Sequence, residues 1–215
     1  MTAESFSLRG THVWLEPLGL QHVDGLVAAA AVDPSLYNWT VVPQGREAMT
    51  RYVETALAWR DDGTALPFAI LSASDGSVTG STRYWNIERW PWPAGHALHG
   101  RTTPDACEIG YTWYTRDAIR TAANTEAKRL MLTHAFEQWD VLRVCLHTDV
   151  RNERSRRAME RIGARFEGVL GAHRLSADGL PRDSARYSIT AAEWPGVRHR
   201  LDEMLGARAT ASARS

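Results

Sequence analysis

The hydrophobic pattern changes period several times along the chain, and each change predicts an element. Val13 and Leu15 alternate with His12 and Trp14 over Thr11–Pro17, the period of two that marks a half-buried strand. Gln21–Ala31 is alanine-rich and helical, stopping near Asp33-Pro34 because the residue before proline avoids helical dihedrals. Ser35–Gln44, with Tyr37 and Trp39, reads as a loop. Over Arg46–Asp61, Met49, Val53, Ala56 and Leu57 form a helical stripe that ends at Asp62-Gly63. Phe68–Ala73 and Val78–Trp85 flank Asp75-Gly76 as a hairpin.

The segment Asn86–Asp105 breaks this rhythm with Trp90-Pro91-Trp92-Pro93, two histidines and two glycines. Two tryptophans are out of place in a disordered loop, so it is expected to be ordered and protruding. Beyond it come a strand at Ala106–Thr115, a short connection at Arg116–Ala123, a helix at Asn124–Trp139 and a strand at Leu142–Asp149. A further helix opens at Asn152 and closes at Gly163, where a left-handed residue is wanted. Arg165–Leu175 and Arg186–Thr190 are strand-like, joined through Asp178-Gly179. Glu193–Leu205 is a helix with Pro195 in its first turn, and Ala207–Ser215 is a small-residue tail expected to fray.

At 215 residues the chain suits one domain, spanning 1–206, with 207–215 as a flexible tail. With 25 basic and 25 acidic side chains it lacks the basic footprint of a general nucleic-acid binder. No apolar run approaches the roughly 20 residues of a membrane span, and MTAESFSLRG lacks a secretion pattern. Cys107 and Cys145 fall on strands and are expected to pack as small hydrophobes in a reducing, cytoplasmic setting. His96 and His99 are too sparse for a metal site, and none is expected.

From Asp105 to Gly168 the order is strand, small-residue turn, helix, strand, capped helix, which can hold a phosphorylated cofactor against a sheet. Arg120–Asn124 (RTAAN) lets backbone approach a phosphate at a helix N-terminus, and Arg116, Arg120, Lys128 and Arg129 could add charge. An ordinary turn with solvated arginines explains the same residues. Ser155 shares a helix face with Ala158, Met159 and Ile162, at the head of the buried side. Capping alone would account for both Asn152 and Ser155. Glu108 is in phase with Gly110 and Thr112, opposite Ile109, Tyr111 and Trp113. A carboxylate there is costly unless it is paired or faces a wet cleft.

EIGYTWY at Glu108–Tyr114, NTEAK at Asn124–Lys128 and NERSRRAMERIGARFEG at Asn152–Gly168 resemble the GNAT superfamily of N-acetyltransferases, in its Rim-type branch named for ribosomal-protein acetylation. The resemblance extends loosely from Leu8 to Pro195. It implies an α/β fold of the α+β type: a mixed, mostly antiparallel sheet flanked by helices. It also implies acetyl-CoA as co-substrate and direct attack of a primary amine in a ternary complex. The implied cofactor residues are Arg116, Arg120, Thr121, Ala122, Ala123, Asn124, Asn152 and Ser155. Family members carry Gln/Arg-x-x-Gly-x-Gly/Ala at the turn; here Ile119, Ala122 and Asn124 stand at its three signature positions.

The resemblance puts Glu108 by the acceptor as general base and Ser155 by the leaving sulfur as its acid, with Asp149 and His147 as alternative bases. Trp85, Trp90, Trp92 and Tyr111 are expected to bind the acceptor, the insertion at 86–105 serving as an aromatic lid. That lid favours a small-molecule amine over a peptide N-terminus. A homodimer contact or a patch packed on its own domain are the alternative roles for the insertion. A non-catalytic acyl-CoA-binding module is the alternative for the whole chain.

Overall fold

The computed structural model describes residues 6–176 and 179–212. One eight-stranded sheet holds β1 (Leu8–Arg9), β2 (Val13–Pro17), β3 (Ala65–Ser72), β4 (Val78–Glu88), β5 (Ala106–Tyr114), β6 (Arg143–Asp149), β7 (Arg165–Leu175) and β8 (Pro181–Thr190). Its order is β1-β2-β3-β4-β5-β6-β8-β7, and every neighbouring pair is antiparallel except β5 with β6. This is the mixed, mostly antiparallel sheet expected. The helices are α1 (Val23–Ala31), α2 (Arg46–Asp61), α3 (Ala123–Thr133), α4 (Glu153–Arg161) and α5 (Trp194–Ser212).

Two apolar clusters cover the two faces of the sheet. α1 and α2 pack Leu26, Met49 and Val53 against Ala69, Leu71 and Trp113. On the other face α3 and α5 pack Ala127, Met131, Leu132 and Leu201 against Phe68, Tyr84, Ile109 and Leu146. Tyr84 is fully buried, and its hydroxyl donates to the Met131 carbonyl at 2.6 Å, so its polar end is satisfied inside the core.

Local signals located most of these elements. α2 has the bounds its stripe predicts, and Asp75-Gly76 turns the β3–β4 hairpin, Gly76 adopting φ 73°. Asn152 caps α4 by accepting from the Ser155 amide at 3.1 Å, and Gly163 follows the helix with φ 95°. Of the Asp178-Gly179 turn, Asp178 lies outside the described residues.

Three expectations are corrected. β1 is an added edge strand. The helix expected over 124–139 passes into a π-turn at His134–Gln138, where the Trp139 amide donates to the His134 carbonyl. Residues 207–212 of the expected tail belong to α5, which runs to Ser212 through the alanine-rich stretch beyond Gly206, and 213–215 lie outside the described residues.

The Glu of NTEAK ties α3 to the first strands. Glu126 is buried on α3, and its carboxylate accepts from the Thr11, His12 and Val13 amides at 2.9, 2.6 and 2.8 Å. Three donors at the β1–β2 corner are thereby satisfied by one charged group.

Candidate active site

The site is made by two strands that part. β5 and β6 pair only through Ala106↔Arg143, Cys107↔Val144 and Glu108↔Cys145, and then diverge. The divergence coincides with a bulge: opposite β4, Arg83 pairs with Gly110 but Ser81 pairs with Trp113, leaving one extra residue in β5. Tyr111 takes the strain, with φ 52°. The expected alternation therefore breaks. Tyr111 and Trp113 turn to the α2 face shared by Glu108 and Gly110, whereas Thr112 turns to α3. A cleft of about 810 Å³ opens between the strands, bounded by the α3 and α4 N-termini, the loop at Tyr37–Val41 and the end of β7.

At the turn leading into α3, the left-handed position falls on Arg120 (φ 66°), not on Ala122 (φ −69°). Alanine is therefore compatible where the family pattern wants glycine. Thr121 stiffens the turn: its Oγ1 donates to the Ala118 carbonyl at 2.7 Å and accepts from the Ala123 amide at 3.1 Å. Arg120, Thr121 and Asn124 line the cleft. Ala122 and Ala123 do not; they are buried beneath it. Arg116 is corrected outright. It lies outside the cleft, in an ion pair with Asp33 that holds the preceding loop.

Asn152 and Ser155 line the cleft across from this turn. Arg154, Arg157 and Arg161 line it as well, giving α4 a basic cleft-facing side. Arg161 Nη1 bridges to Thr125 Oγ1 at 3.2 Å, fastening α4 to the start of α3. Two helix N-termini and four arginines around one slot suit the phosphates of an acyl-CoA. The slot between diverging strands can take its extended arm.

Glu108 occupies the last paired position before the strands separate and is 4% exposed. His147 Nδ1 stands 3.0 Å from its Oε2 without hydrogen-bond alignment, and Arg174 Nη2 lies 3.5 Å away. The Arg174 guanidinium also covers the Trp85 ring at 4.2 Å, and Trp85 meets Tyr111 edge-to-face at 5.3 Å. Trp85 and Tyr111 thus line the cleft beside Glu108. A Cβ on Gly110 would come within 3.3 Å of Glu108 Oε1, so the glycine leaves that oxygen room. His173 sits 5.1 Å from the His147 ring; burial and the adjacent Arg174 charge lower its pKa.

Asp149 does not fit the role of alternative base. Arg151 binds its carboxylate through Nε and Nη2 at 2.9 and 2.8 Å, and this hydrogen bonding holds its pKa below the usual range. His147, by contrast, joins the Glu108 group.

The expected lid is also corrected: Trp90 and Trp92 do not line the cleft. Asp105, 1% exposed, accepts from the Trp90 amide at 2.7 Å and from Trp92 Nε1 at 2.8 Å. Arg101 pairs with Asp105 and donates to the Trp139 and Asp140 carbonyls at 2.8 and 2.9 Å. A buried carboxylate that needs donors therefore folds the insertion back on the far end of α3. His96 stacks on Trp92 within the same patch.

Arg174 lines the cleft and is missing from the residues read as its site in the sequence; Lys128, read there as a possible phosphate contact, lines it too. Arg174 comes from the far end of β7, beyond the motif that closes at Gly168 and 66 positions after Glu108, and only the β7–β8–β6 pairing brings it near. Cys107 and Cys145 are buried free thiols. Among the described residues no cluster could hold a metal ion, and no helix is long and apolar enough to cross a membrane.

Comparison with known proteins identifies the domain and the fold. Residues 12–165 match the acetyltransferase (GNAT) domain. Over 91 residues the chain is 37% identical to YdaF of Bacillus subtilis (strain 168), which bears the name of a ribosomal N-acetyltransferase; the match covers 42% of this chain and about half (49%) of YdaF. An acetyltransferase structure from T. thermophilus superposes with a TM-score of 0.77 at 35% identity, covering 95% of this chain and all of that one (100%). A GCN5-related N-acetyltransferase from Brucella melitensis gives 0.80 at 27%, covering 94% and 86%. Mycobacterium smegmatis RimJ, solved with CoA-disulfide, shares the fold at 24% identity, with a TM-score of 0.73 over 94% and 95% of the two chains.

Proposed function

Because the chain belongs to the GNAT acetyltransferases, we propose that it acetylates the free α-amine of a peptide or protein N-terminus, with Glu108 as the base and acetyl-CoA as donor. The observation that carries this reading is a buried carboxylate at the point where β5 and β6 part, facing the cleft beside an aromatic wall. Acetyl-CoA supplies a thioester carbonyl for the amine to attack. Arg120, Asn124 and the basic side of α4 bind its phosphates, and Asn152 and Ser155 flank its arm. Glu108 accepts the proton released by the attacking amine, with His147 and Arg174 fixing its orientation. The Ser155 hydroxyl donates a proton to the departing sulfur. Backbone N–H groups exposed by the bulge polarise the carbonyl.

The ribosomal name of YdaF points the acceptor toward protein N-termini. The expectation of a small-molecule amine rested on a tryptophan lid, and those tryptophans lie elsewhere. The compact wall of Trp85 and Tyr111 keeps small aromatic amines as a second reading. Release of free CoA thiol, measured with short peptides bearing free α-amines and with a panel of small amines, tests both. The expected result is peptide-dependent release that Glu108→Gln slows by about 10² to 10⁴. Release with small amines alone would transfer the proposal to the second class, and no release with any acceptor would overturn it.

A further inference from the structure

Of the 25 lysine and arginine residues in the chain, Lys128 is the only lysine. Its place is unusual for that side chain. It is 6% exposed and lines the cleft from the α3 side, across β5 from Glu108. Nζ donates to Thr112 Oγ1 at 2.9 Å, and Thr112 is the first residue beyond the strained Tyr111. Thr112 in turn shares a 2.8 Å hydrogen bond with Thr82, whose hydroxyl lies 3.7 Å from the Met131 sulfur. These neighbours are neutral.

The charged groups around the same cleft are Arg120 of the turn, Arg154, Arg157 and Arg161 of α4 with Glu153 ion-paired to Arg157, Arg182 of β8, and, across β5, Glu108 with His147 and Arg174. Arginines dominate, and none of them offsets an ammonium. Burial lowers the Lys128 pKa to about 7. Above that pH the side chain is a neutral amine with an available lone pair, needing no base of its own.

We propose that Lys128 is a self-acetylation site, the one side chain of this protein that can accept an acetyl group from acetyl-CoA held in its own cleft. The proposal rests on the acyl-CoA reading of that cleft. In the step, Nζ attacks the thioester carbonyl, an N–C bond forms and the C–S bond breaks. The electron pair leaves on sulfur, and the proton lost by Nζ ends on the CoA thiolate. The products are N-acetyl-lysine and CoA. The acetylated side chain no longer protonates and occupies cleft volume the donor needs, so the reaction is self-limiting.

The test is peptide mass mapping of the intact chain incubated with acetyl-CoA and no acceptor. One acetyl group is expected on Lys128, distinguished from any on the terminal amine, forming faster as the pH rises through about 7. Desulfo-CoA should block it. Glu108→Gln should retain it while losing transfer to added amines, because Glu108 lies across β5. An unmodified Lys128 overturns the proposal. CoA release with acceptor peptides in the same preparation then shows whether the acetyltransferase reading itself stands. Modification unaffected by desulfo-CoA would also overturn it, marking reaction in bulk solution. Neither of these readouts depends on the folding of a Lys128 variant.

Discussion

Glu126 and Glu108 are both buried carboxylates, 7% and 4% exposed, on neighbouring elements of one fold. Around Glu126, three backbone amides converge within hydrogen-bond distance, and nothing further is wanted. Around Glu108, one imidazole stands at 3.0 Å out of alignment and one guanidinium at 3.5 Å, with a cleft beside them. The saturated carboxylate is a clamp between α3 and the first strands. The undersaturated one has capacity left for an incoming proton. Burial alone separates neither from the other; the count and alignment of donors does.

Substitution should divide the two sharply. Glu126→Ala leaves the buried Val13 amide and the part-buried Thr11 and His12 amides without their acceptor and is expected to cost about 2 to 3 kcal/mol of stability, read by urea denaturation. A loss below about 1 kcal/mol would remove the distinction. Lys128 extends the comparison to a buried cation. Its pKa, about 7 in the fold, lies below the ordinary 10.5, so the penalty is absent above pH 10.5 and complete below pH 7. Lys128→Met should therefore gain stability over the parent by on the order of 1 kcal/mol per pH unit as pH falls through that window. A difference independent of pH would mean that the amine stays charged.

What can be read ahead of the structure follows the same division between local and distant causes. The α2 stripe, the Asp75-Gly76 turn and the Asn152 and Gly163 caps are decided within a few residues, and all are legible. The partners of Glu126 lie 113 to 115 positions away, so TEAK gives no sign of a clamp. The bulge puts a tyrosine at positive φ, which no local preference foretells, and it reverses the phase of everything after Gly110. Glu108 can be found from the cost of a carboxylate in a strand, but Arg174 cannot. Trp90 and Trp92 read as a lid because nothing nearby shows that Asp105 draws them back.

Smaller effects sharpen the comparison further. Asp149 is saturated by Arg151, so Asp149→Asn should change kcat by less than about tenfold, well short of the loss of a positioned base. Its pKa is lowered in the fold. The stability it contributes is therefore full above pH 3.8 and lost as the pH falls through the lowered value, and the variant and parent should converge there. Trp90→Ala and Trp92→Ala should leave the acceptor KM within about twofold while lowering the melting temperature. A large KM change in either would return the insertion to the acceptor site.

The pH–rate profile of Glu108→Gln, compared with that of the parent on protein matched for melting temperature, bears most directly on the role given to Glu108. The expected result is a fall in kcat/KM of about 10² to 10⁴ with loss of the rising acid limb and unchanged acetyl-CoA affinity. A variant that keeps the parental profile would show that the amine gives up its proton elsewhere.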